Sequence, residues 1–302
     1  MINDLPAVVT HSKCLLYADD LKLFREIKCE ADCEALQRDV DSILTWSNLN
    51  KMEFNIEQCY MMTFCRLRHP IRFAYKINNM LITRSHTIKD LGVLFDPKLT
   101  FHDHVVALAK ESHKRLGFVL RSAREFRCAN VIRLIYSALV RTKLETSACV
   151  WNPHESTYAL LLEKVQKVFL RYLYKRTYGR YPYLYPTKFL LGTLNYNSLE
   201  VRRKYIQLTT ACKIFHGKID ASDLSNELCR LRLPHKLPMR TCRKLQLFAV
   251  PPAHTVARAN SPIPRMLSAL NALLAAYPEC DLFADEWSNI LLACQKFCER
   301  EV

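Results

Sequence analysis

The sequence lacks the features that mark membrane, secreted and repetitive proteins. No stretch approaches the ~18 consecutive apolar residues of a membrane-spanning helix. The start, MINDLPAVVTHSKC, lacks the basic end and the apolar core of a secretory signal. Internal repeats, low-complexity tracts and a compact basic targeting run are also absent. Half of the residues are hydrophobic, which excludes a disordered chain. We therefore expect a soluble intracellular protein without a membrane partner.

The 13 cysteines include no C-x-x-C pair, which argues against a zinc finger or a disulfide framework. Three pairs have the i, i+4 spacing of one helix face and could hold a metal: Cys29/Cys33, Cys212/His216 and Cys294/Cys298. Buried free thiols are, however, among the commonest core residues of proteins. Ordinary core packing is the preferred interpretation, and a metal site is the alternative.

Positive charge is concentrated after the first 64 residues. Residues 1–64 hold 6 Lys+Arg and 11 Asp+Glu, whereas residues 65–302 hold 38 and 18. A large basic segment favours a polyanionic partner such as nucleic acid. The alternative is a basic protein that has no such partner.

Hydrophobic periodicity predicts an α+β protein. Cys14–Tyr17 and Leu21–Phe24 are short apolar runs on either side of a tight turn, which is typical of a β-hairpin. Helical spacing follows from Cys29 to about Leu49. Three strand-like pieces come next, and Asn78-Asn79 is a suitable hairpin turn between the last two, since Asn tolerates positive φ. These pieces are Cys59–Phe64, Arg72–Ile77 and Leu81–Thr83.

Helices dominate the sequence from His102 onward. The segments with helical periodicity are His102–Arg124, Ala129–Thr142, Tyr158–Lys175, Leu199–His216, Ile263–Ala276 and Asp285–Glu299. Two of these helices combine an apolar face with a basic stripe at about 100° per residue. The stripes are candidate phosphate contacts, and a solvated basic face is the alternative. They consist of Lys110, Lys114, Arg121 and Arg124 in the first helix, and of Lys164, Lys167, Arg171 and Lys175 in the second.

Two adjacent aspartates, Asp19 and Asp20, lie at the turn of the predicted hairpin LLYADDLKLF. Carboxylates on a rigid turn suit Mg²⁺, because hard oxygen ligands match this ion. A two-ion phosphoryl-transfer site needs carboxylates from more than one segment. Since Asp is common in turns, an ordinary turn is the preferred interpretation of this pair when it is taken alone.

Four further motifs accompany LLYADDLKLF along the chain, namely INDLP, WSNLN, KDLGVLFDPKLTFHDHV and LIYSALVRTKLETSACVWNP. With these motifs the chain resembles the reverse transcriptase of non-LTR retrotransposons, the LINE-type elements and their jockey-like insect group in particular. The similarity extends weakly to LLEKVQKVFLRYL and to SPIPRML and DLF near the C-terminus, so it covers most of the chain.

This resemblance implies a site and a domain order. Asp19 would be the principal Mg²⁺ ligand of a palm hairpin and Asp20 the supporting carboxylate. Leu91, Gly92 and Val93 would lie in a primer-grip-like segment. Residues 1–101 would be the C-terminal part of the palm, with the hairpin, a helix and a small antiparallel sheet. A helical thumb at 102–180 and a helical C-terminal region at 181–302 would follow, with an RNA template and a DNA primer as partners.

Two departures from the family pattern bear on activity. The palm of such enzymes contributes another metal-binding aspartate well upstream, so the resemblance predicts a C-terminal fragment without fingers, upstream palm or endonuclease. Asp4, Asp90 and Asp96 do not stand in the right order to replace that aspartate. Gln58 occupies the position at which the family usually has a lysine, and glutamine cannot donate a proton to pyrophosphate.

Three functional hypotheses follow. The first is an RNA-directed DNA polymerase by descent that is inactive as this chain. The second is a non-enzymatic RNA- or DNA-binding protein that uses the basic helices. The third is the product of a decayed element, without a function, whose exposed strand edges and apolar surface would favour aggregation. The oligomeric state stays open, and a location in the nucleus or the cytoplasm follows from the family alone.

Overall fold

The computed structural model describes residues 2–126, 128–229, 231 and 246–300. The chain divides into two units, Met1–Leu99 and Thr100–Val302. Short strands and one long helix make up the first unit, and helices make up the second. The α+β class expected from the sequence is confirmed. The assignment to palm, thumb and C-terminal region stays a prediction.

The first unit begins with a hairpin and a helix and continues with very short strands. Its elements in chain order are a 3-10 turn (Leu5–Val8), β1 (Lys13–Tyr17), β2 (Asp20–Phe24), α1 (Glu30–Leu49), a 3-10 turn (Ile56–Gln58), β3 (Tyr60–Met61), β4 (Lys76–Ile77), β5 (Met80–Leu81), β6 (Thr83–Arg84), β7 (Ile88–Asp90) and β8 (Val93–Phe95).

The described strands of this unit pair two by two. The pairs β1–β2, β4–β5 and β7–β8 are antiparallel, whereas β3 and β6 pair in parallel. The expected small antiparallel sheet is therefore wrong in detail, because the chain forms no strand between Met62 and Tyr75 and the described strands stay in separate pairs, one of them parallel. The expected Asn78-Asn79 turn is confirmed, with φ of +50° and +62°.

The second unit is helical in its described residues. Its helices are α2 (His102–Ser122), α3 (Ala129–Tyr136), α4 (Thr142–Glu145), α5 (Ala148–Trp151), α6 (Ser156–Tyr178), α7 (Thr187–Leu194), α8 (Leu199–Phe215), α9 (Ser222–Leu228), α10 (Val256–Ala259), α11 (Pro262–Ala276) and α12 (Trp287–Arg300). The periodic segments of the sequence match the longer of these helices to within a few residues.

A π-helical turn, Ser137–Arg141, interrupts the helix expected over Ala129–Thr142. Four residues at i, i+4 spacing are fully buried across it: Ile132, Tyr136, Val140 and Leu144. In a regular α-helix each step of four residues rotates the side chain by about 40°. A long series of residues at this spacing would therefore turn away from the core. The wider turn compensates for this rotation and keeps all four side chains inside.

The core of the second unit fixes the orientation of the two basic helices. α2 packs against α6, and α8 packs against α12. The rings of Tyr136 and Phe169 stack with centroids 3.6 Å apart, and both side chains are fully buried. Because these apolar faces point inward, the opposite faces of α2 and α6 are exposed.

Among the described helices, none is both long enough and apolar enough to cross a lipid bilayer.

Candidate functional site

The aspartate pair lies at the tip of the β1–β2 hairpin. Tyr17 faces Asp20 in the register, so Ala18 and Asp19 form the two-residue turn. Ala18 has φ of +55°, the left-handed conformation that such turns require. Both carboxylates are exposed, and Asp20 is the first residue of β2.

The inward face of the hairpin fixes this tip on a small core. Leu16, Leu21 and Leu23 are partly buried against a cluster of Leu5, Ile43 and Trp46. The indole Nε1 of Trp46 donates a hydrogen bond to Asp4 Oδ2 at 3.2 Å. Successive side chains of a strand point to opposite faces. One face of the hairpin therefore packs on this core, and the other face points away from it.

The outward face of the hairpin carries large apolar side chains. Leu15, Tyr17 and Phe24 are 55%, 62% and 47% exposed, respectively. Within the described part of the chain, β1 and β2 pair with each other and with no further strand. The hairpin therefore presents both an apolar face and open edges.

Two further aspartates hold the hairpin at its base. Asp39, which is 1% exposed, accepts the backbone N–H of Thr10 (3.0 Å to Oδ1) and of His11 (3.0 Å to Oδ2). Burial raises the pKa of Asp39, but hydrogen bonds to its carboxylate outweigh this effect and the pKa is lowered. The backbone N–H of Lys28 and the side chain of Arg25 likewise hold the pKa of Asp32 well below its usual value.

Sequence reasoning missed the role of Asp39, although a signal for it exists. Asp39 lies four residues from both Ala35 and Ile43, which are buried on the core face of α1. A carboxylate in such a ladder needs hydrogen-bond partners. The loop before β1 supplies them, and this contact connects the hairpin to α1 across 28 and 29 residues of sequence.

The described residues do not complete a magnesium site around Asp19 and Asp20. They contain no group of three or more His, Cys, Asp or Glu side chains that could hold a metal ion. The candidate replacements have other partners: Asp90 pairs with Lys22 at 2.6 Å, and Asp96 Oδ2 accepts the N–H of Lys98 at 3.1 Å. Two exposed carboxylates alone do not fit the ligand set of a two-ion site.

Of the other first-unit positions that the resemblance singles out, three lie in turns and one begins a strand. Gln58 ends the 3-10 turn Ile56–Gln58 and is exposed. Leu91 and Gly92 form the β7–β8 turn with φ of +44° and +84°, and Val93 is buried at the start of β8. The positive φ of Gly92 is what favours glycine in this turn. Lack of space does not require it, because a Cβ added at Gly92 would meet no atom within 4 Å. Their roles stay predictions.

The basic face of α2 is open to solvent. Lys110, Lys114, Arg121 and, just after the helix, Arg124 are all exposed. A Cβ at Gly117 would lie 3.4 Å from Arg121 Nη1, so the guanidinium rests over this glycine. The buried positions on the opposite face of the helix include Val105, Leu108, Leu116 and Val119, as the periodicity indicates.

The basic face of α6 differs from the expected stripe at one position. Lys164, Lys167 and Lys175 are exposed, but Arg171 is partly buried and donates Nη1 to the carbonyl of Tyr183 at 3.3 Å. Val168, next to the fully buried Phe169, is 43% exposed. The contact made by Arg171 depends on a chain reversal after α6, which helical periodicity does not reveal.

Known proteins give one informative comparison. No family model matches the chain, and no solved structure matches it. The RNA-directed DNA polymerase from mobile element jockey of Drosophila funebris is 25% identical to it over 159 residues. The chain is similar to a retrotransposon polymerase. The match covers 51% of this chain but 17% of that polymerase, so the chain spans a small part of the length of this relative.

Proposed function

We propose that the chain is part of an RNA-directed DNA polymerase of a non-LTR retrotransposon. The similarity to the jockey polymerase carries this proposal. The exposed aspartates at the tip of a two-residue hairpin turn agree with the metal-binding hairpin of a palm. The helices of the second unit would then be the thumb and the C-terminal region. An intracellular location, in the nucleus or the cytoplasm, belongs to the same proposal.

The proposed chemistry needs more than the described residues supply. Asp19 and Asp20 would hold Mg²⁺ in the polymerase together with a further carboxylate, and the described residues offer no third ligand. We therefore expect no polymerisation by this chain alone, because a site that lacks a ligand segment cannot position two ions.

Primer extension tests this expectation. The purified chain is incubated with Mg²⁺, the four deoxynucleotides and an RNA template annealed to a DNA primer, beside an Asp19→Ala variant. We expect no template-dependent product from either protein. Synthesis by the wild type that the alanine variant loses would contradict the expectation and would show that the chain polymerises through Asp19.

A second candidate function, binding of RNA or DNA without catalysis, is favoured by the exposed basic face of α2. This face combines Lys110, Lys114, Arg121 and Arg124, while the nearby Glu111 pairs with Arg115 at 3.0 Å. Contacts between such side chains and phosphates release counterions and make affinity fall as salt rises. Both candidate functions share this binding step, and primer extension separates them.

A further inference from the structure

The segment that follows α6 is rich in exposed aromatic rings. We define the tyrosine platform as Tyr178, Tyr181, Tyr183 and Phe189, which are 49%, 40%, 77% and 48% exposed. The platform lies in the sequence RTYGRYPYLYPTKF, where the chain leaves α6, turns and enters α7. Aromatic side chains of this size are usually buried, so four exposed rings in twelve residues of sequence point to a ligand.

Ring contacts connect two members of the platform, Tyr178 and Phe189, to a buried anchor. Tyr174 is 4% exposed, and its ring centroid lies 4.5 Å from that of Tyr178 and 5.5 Å from that of Tyr185. Tyr185 in turn contacts Phe189 at 5.0 Å. Tyr178 and Phe189 therefore belong to one set of rings whose inner member is fixed in the core, whereas Tyr181 and Tyr183 form a separate pair.

Backbone features hold the loop of the platform in place. Gly179 ends α6 with φ of +76°, a left-handed C-cap that turns the chain back. The buried Pro182 lies between Tyr181 and Tyr183, whose rings are 4.6 Å apart. Arg171 then fixes the loop to α6 through the carbonyl of Tyr183, and its guanidinium lies 6.0 Å from the ring of Tyr181.

The surroundings of the platform are strongly basic. Residues 164–199 contain seven Lys+Arg and no Asp or Glu. Those that are exposed are Lys164, Lys167, Lys175, Arg176, Arg180 and Lys188. A surface of this charge attracts a polyanion and repels a basic partner.

We propose that the tyrosine platform binds single-stranded nucleic acid, with unpaired bases stacked on its exposed rings and phosphates on the basic side chains around it. This proposal rests on the proposed nucleic-acid-binding function and names one of its sites. Single strands are favoured over duplexes because their bases expose π faces, whereas the bases of a duplex already stack on each other. The absence of acidic residues across 164–199 favours nucleic acid over a protein partner.

Substitutions that separate rings from charges test the proposal. Fluorescence anisotropy measures the affinity of the full chain for a single-stranded oligonucleotide of about 20 residues and for the matching duplex. A Tyr181→Leu/Tyr183→Leu variant removes two rings and keeps apolar side chains. Tyr181→Phe/Tyr183→Phe keeps the rings, and Tyr60→Leu removes a 54%-exposed ring of the first unit as a matched control.

We expect the double leucine variant to bind the single strand at least about tenfold more weakly, since two bases would lose the rings on which they stack. Duplex affinity should change less than about twofold, and the phenylalanine and Tyr60→Leu variants should bind the single strand like the wild type. Circular dichroism establishes that each variant is folded.

Three results would overturn the proposal that the tyrosine platform binds single-stranded nucleic acid. One is unchanged single-strand affinity in the folded leucine variant, which is also the result expected if the loop contacts a protein. Another is an equal loss for single strand and duplex, since stacking would then not be the cause. The third is a loss of single-strand affinity in the phenylalanine variant that equals the loss in the leucine variant, since the phenylalanine variant keeps both rings. In each of these cases a wild type that binds nucleic acid leaves the proposed function standing, whereas a wild type that binds neither oligonucleotide contradicts both proposals.

Discussion

The two units of the chain differ in charge and in the chemistry that they offer. Residues 1–99 hold 13 Lys+Arg and 13 Asp+Glu, whereas residues 100–302 hold 31 and 16. The aspartate pair lies in the neutral unit, and the exposed basic helix faces lie in the other. The comparison separates a pair of aspartates that the other described residues do not complete into a metal site from a surface whose charge alone suits a polyanion.

The units also differ in how fully they bury their apolar side chains. The hairpin core of the first unit has three buried members, Leu5, Ile43 and Trp46, and leaves Leu15 and Tyr17 exposed. In the second unit, α2, α3 and α6 bury whole helix faces against each other. A long helix covers a full stripe of core at once, whereas an isolated two-stranded hairpin is marginally stable and needs a surface to pack on.

The largest expected effect is in the core of the second unit. Phe169→Ala removes a fully buried ring that stacks on Tyr136, so we expect a loss of about 3–5 kcal/mol in the free energy of unfolding. The neighbouring Val168→Ala, at a 43%-exposed position, should cost less than about 1 kcal/mol. Urea unfolding measures both. Similar losses for the two variants would show that this face of α6 is not the core face.

A smaller effect depends on pH. Burial, and then the charge of Lys143, lower the pKa of His104 from its usual value of 6.5 to about 4. Between these two pH values the unfolded chain binds more protons. The contribution of neutral His104 to the free energy of unfolding should therefore be fully present above pH 6.5. It should fall by at most about 3 kcal/mol as the pH drops towards 4.

The measurement for His104 is urea unfolding at about pH 7.5 and about pH 4.5. A Trp46→Phe background restricts tryptophan fluorescence to Trp151 and Trp287 of the second unit. His104→Phe should reduce the loss of stability at low pH, while His113→Phe, at an exposed position of the same helix, should not. An undiminished loss in His104→Phe would assign the pH dependence to other groups.

The smallest effect compares the two faces of the hairpin. Leu16→Ala removes a partly buried contact with the core of the first unit and should cost about 1–2 kcal/mol. Leu15→Ala, at a 55%-exposed position, should cost less than about 0.5 kcal/mol. Hydrogen exchange measured by mass spectrometry on peptides that cover residues 13–24 reports both. An equal loss of protection would mean that another surface covers the outward face.

Local patterns predicted the elements that local forces determine. The β1–β2 hairpin, α1 and the long helices α2, α6 and α8 follow from alternation and helical spacing, and the Asn78-Asn79 turn follows from the tolerance of Asn for positive φ. Of the site, the pattern predicted the position of Asp19 and Asp20 near a tight turn and the exposure of the α2 stripe.

Contacts between distant residues account for what the sequence did not predict. The parallel pairing of β3 with β6 joins residues more than twenty positions apart. Asp39 is buried because the loop before β1 offers it backbone N–H groups, and Arg171 is partly buried because the chain reverses after Gly179. Periodicity within one element carries no information on such partners.

The most direct test of the claim that the second unit binds nucleic acid is the salt dependence of that binding. Affinity for an RNA template annealed to a DNA primer is measured from about 50 to about 200 mM KCl. The variant reverses Lys110, Lys114, Arg121 and Arg124 to Glu. Its control reverses four exposed positions of the first unit to Glu, namely Lys13, Lys51, Arg68 and Arg72.

Both variants change the net charge by the same amount, so a difference between them reports position and not total charge. For the wild type we expect a steep fall in affinity with salt, and for the α2 variant a slope of log K against log salt that is shallower by roughly 0.9 for each lost phosphate contact. The control should retain most of the wild-type slope. Equal slopes in the two variants, or no binding by the wild type at the lowest salt, would contradict the account.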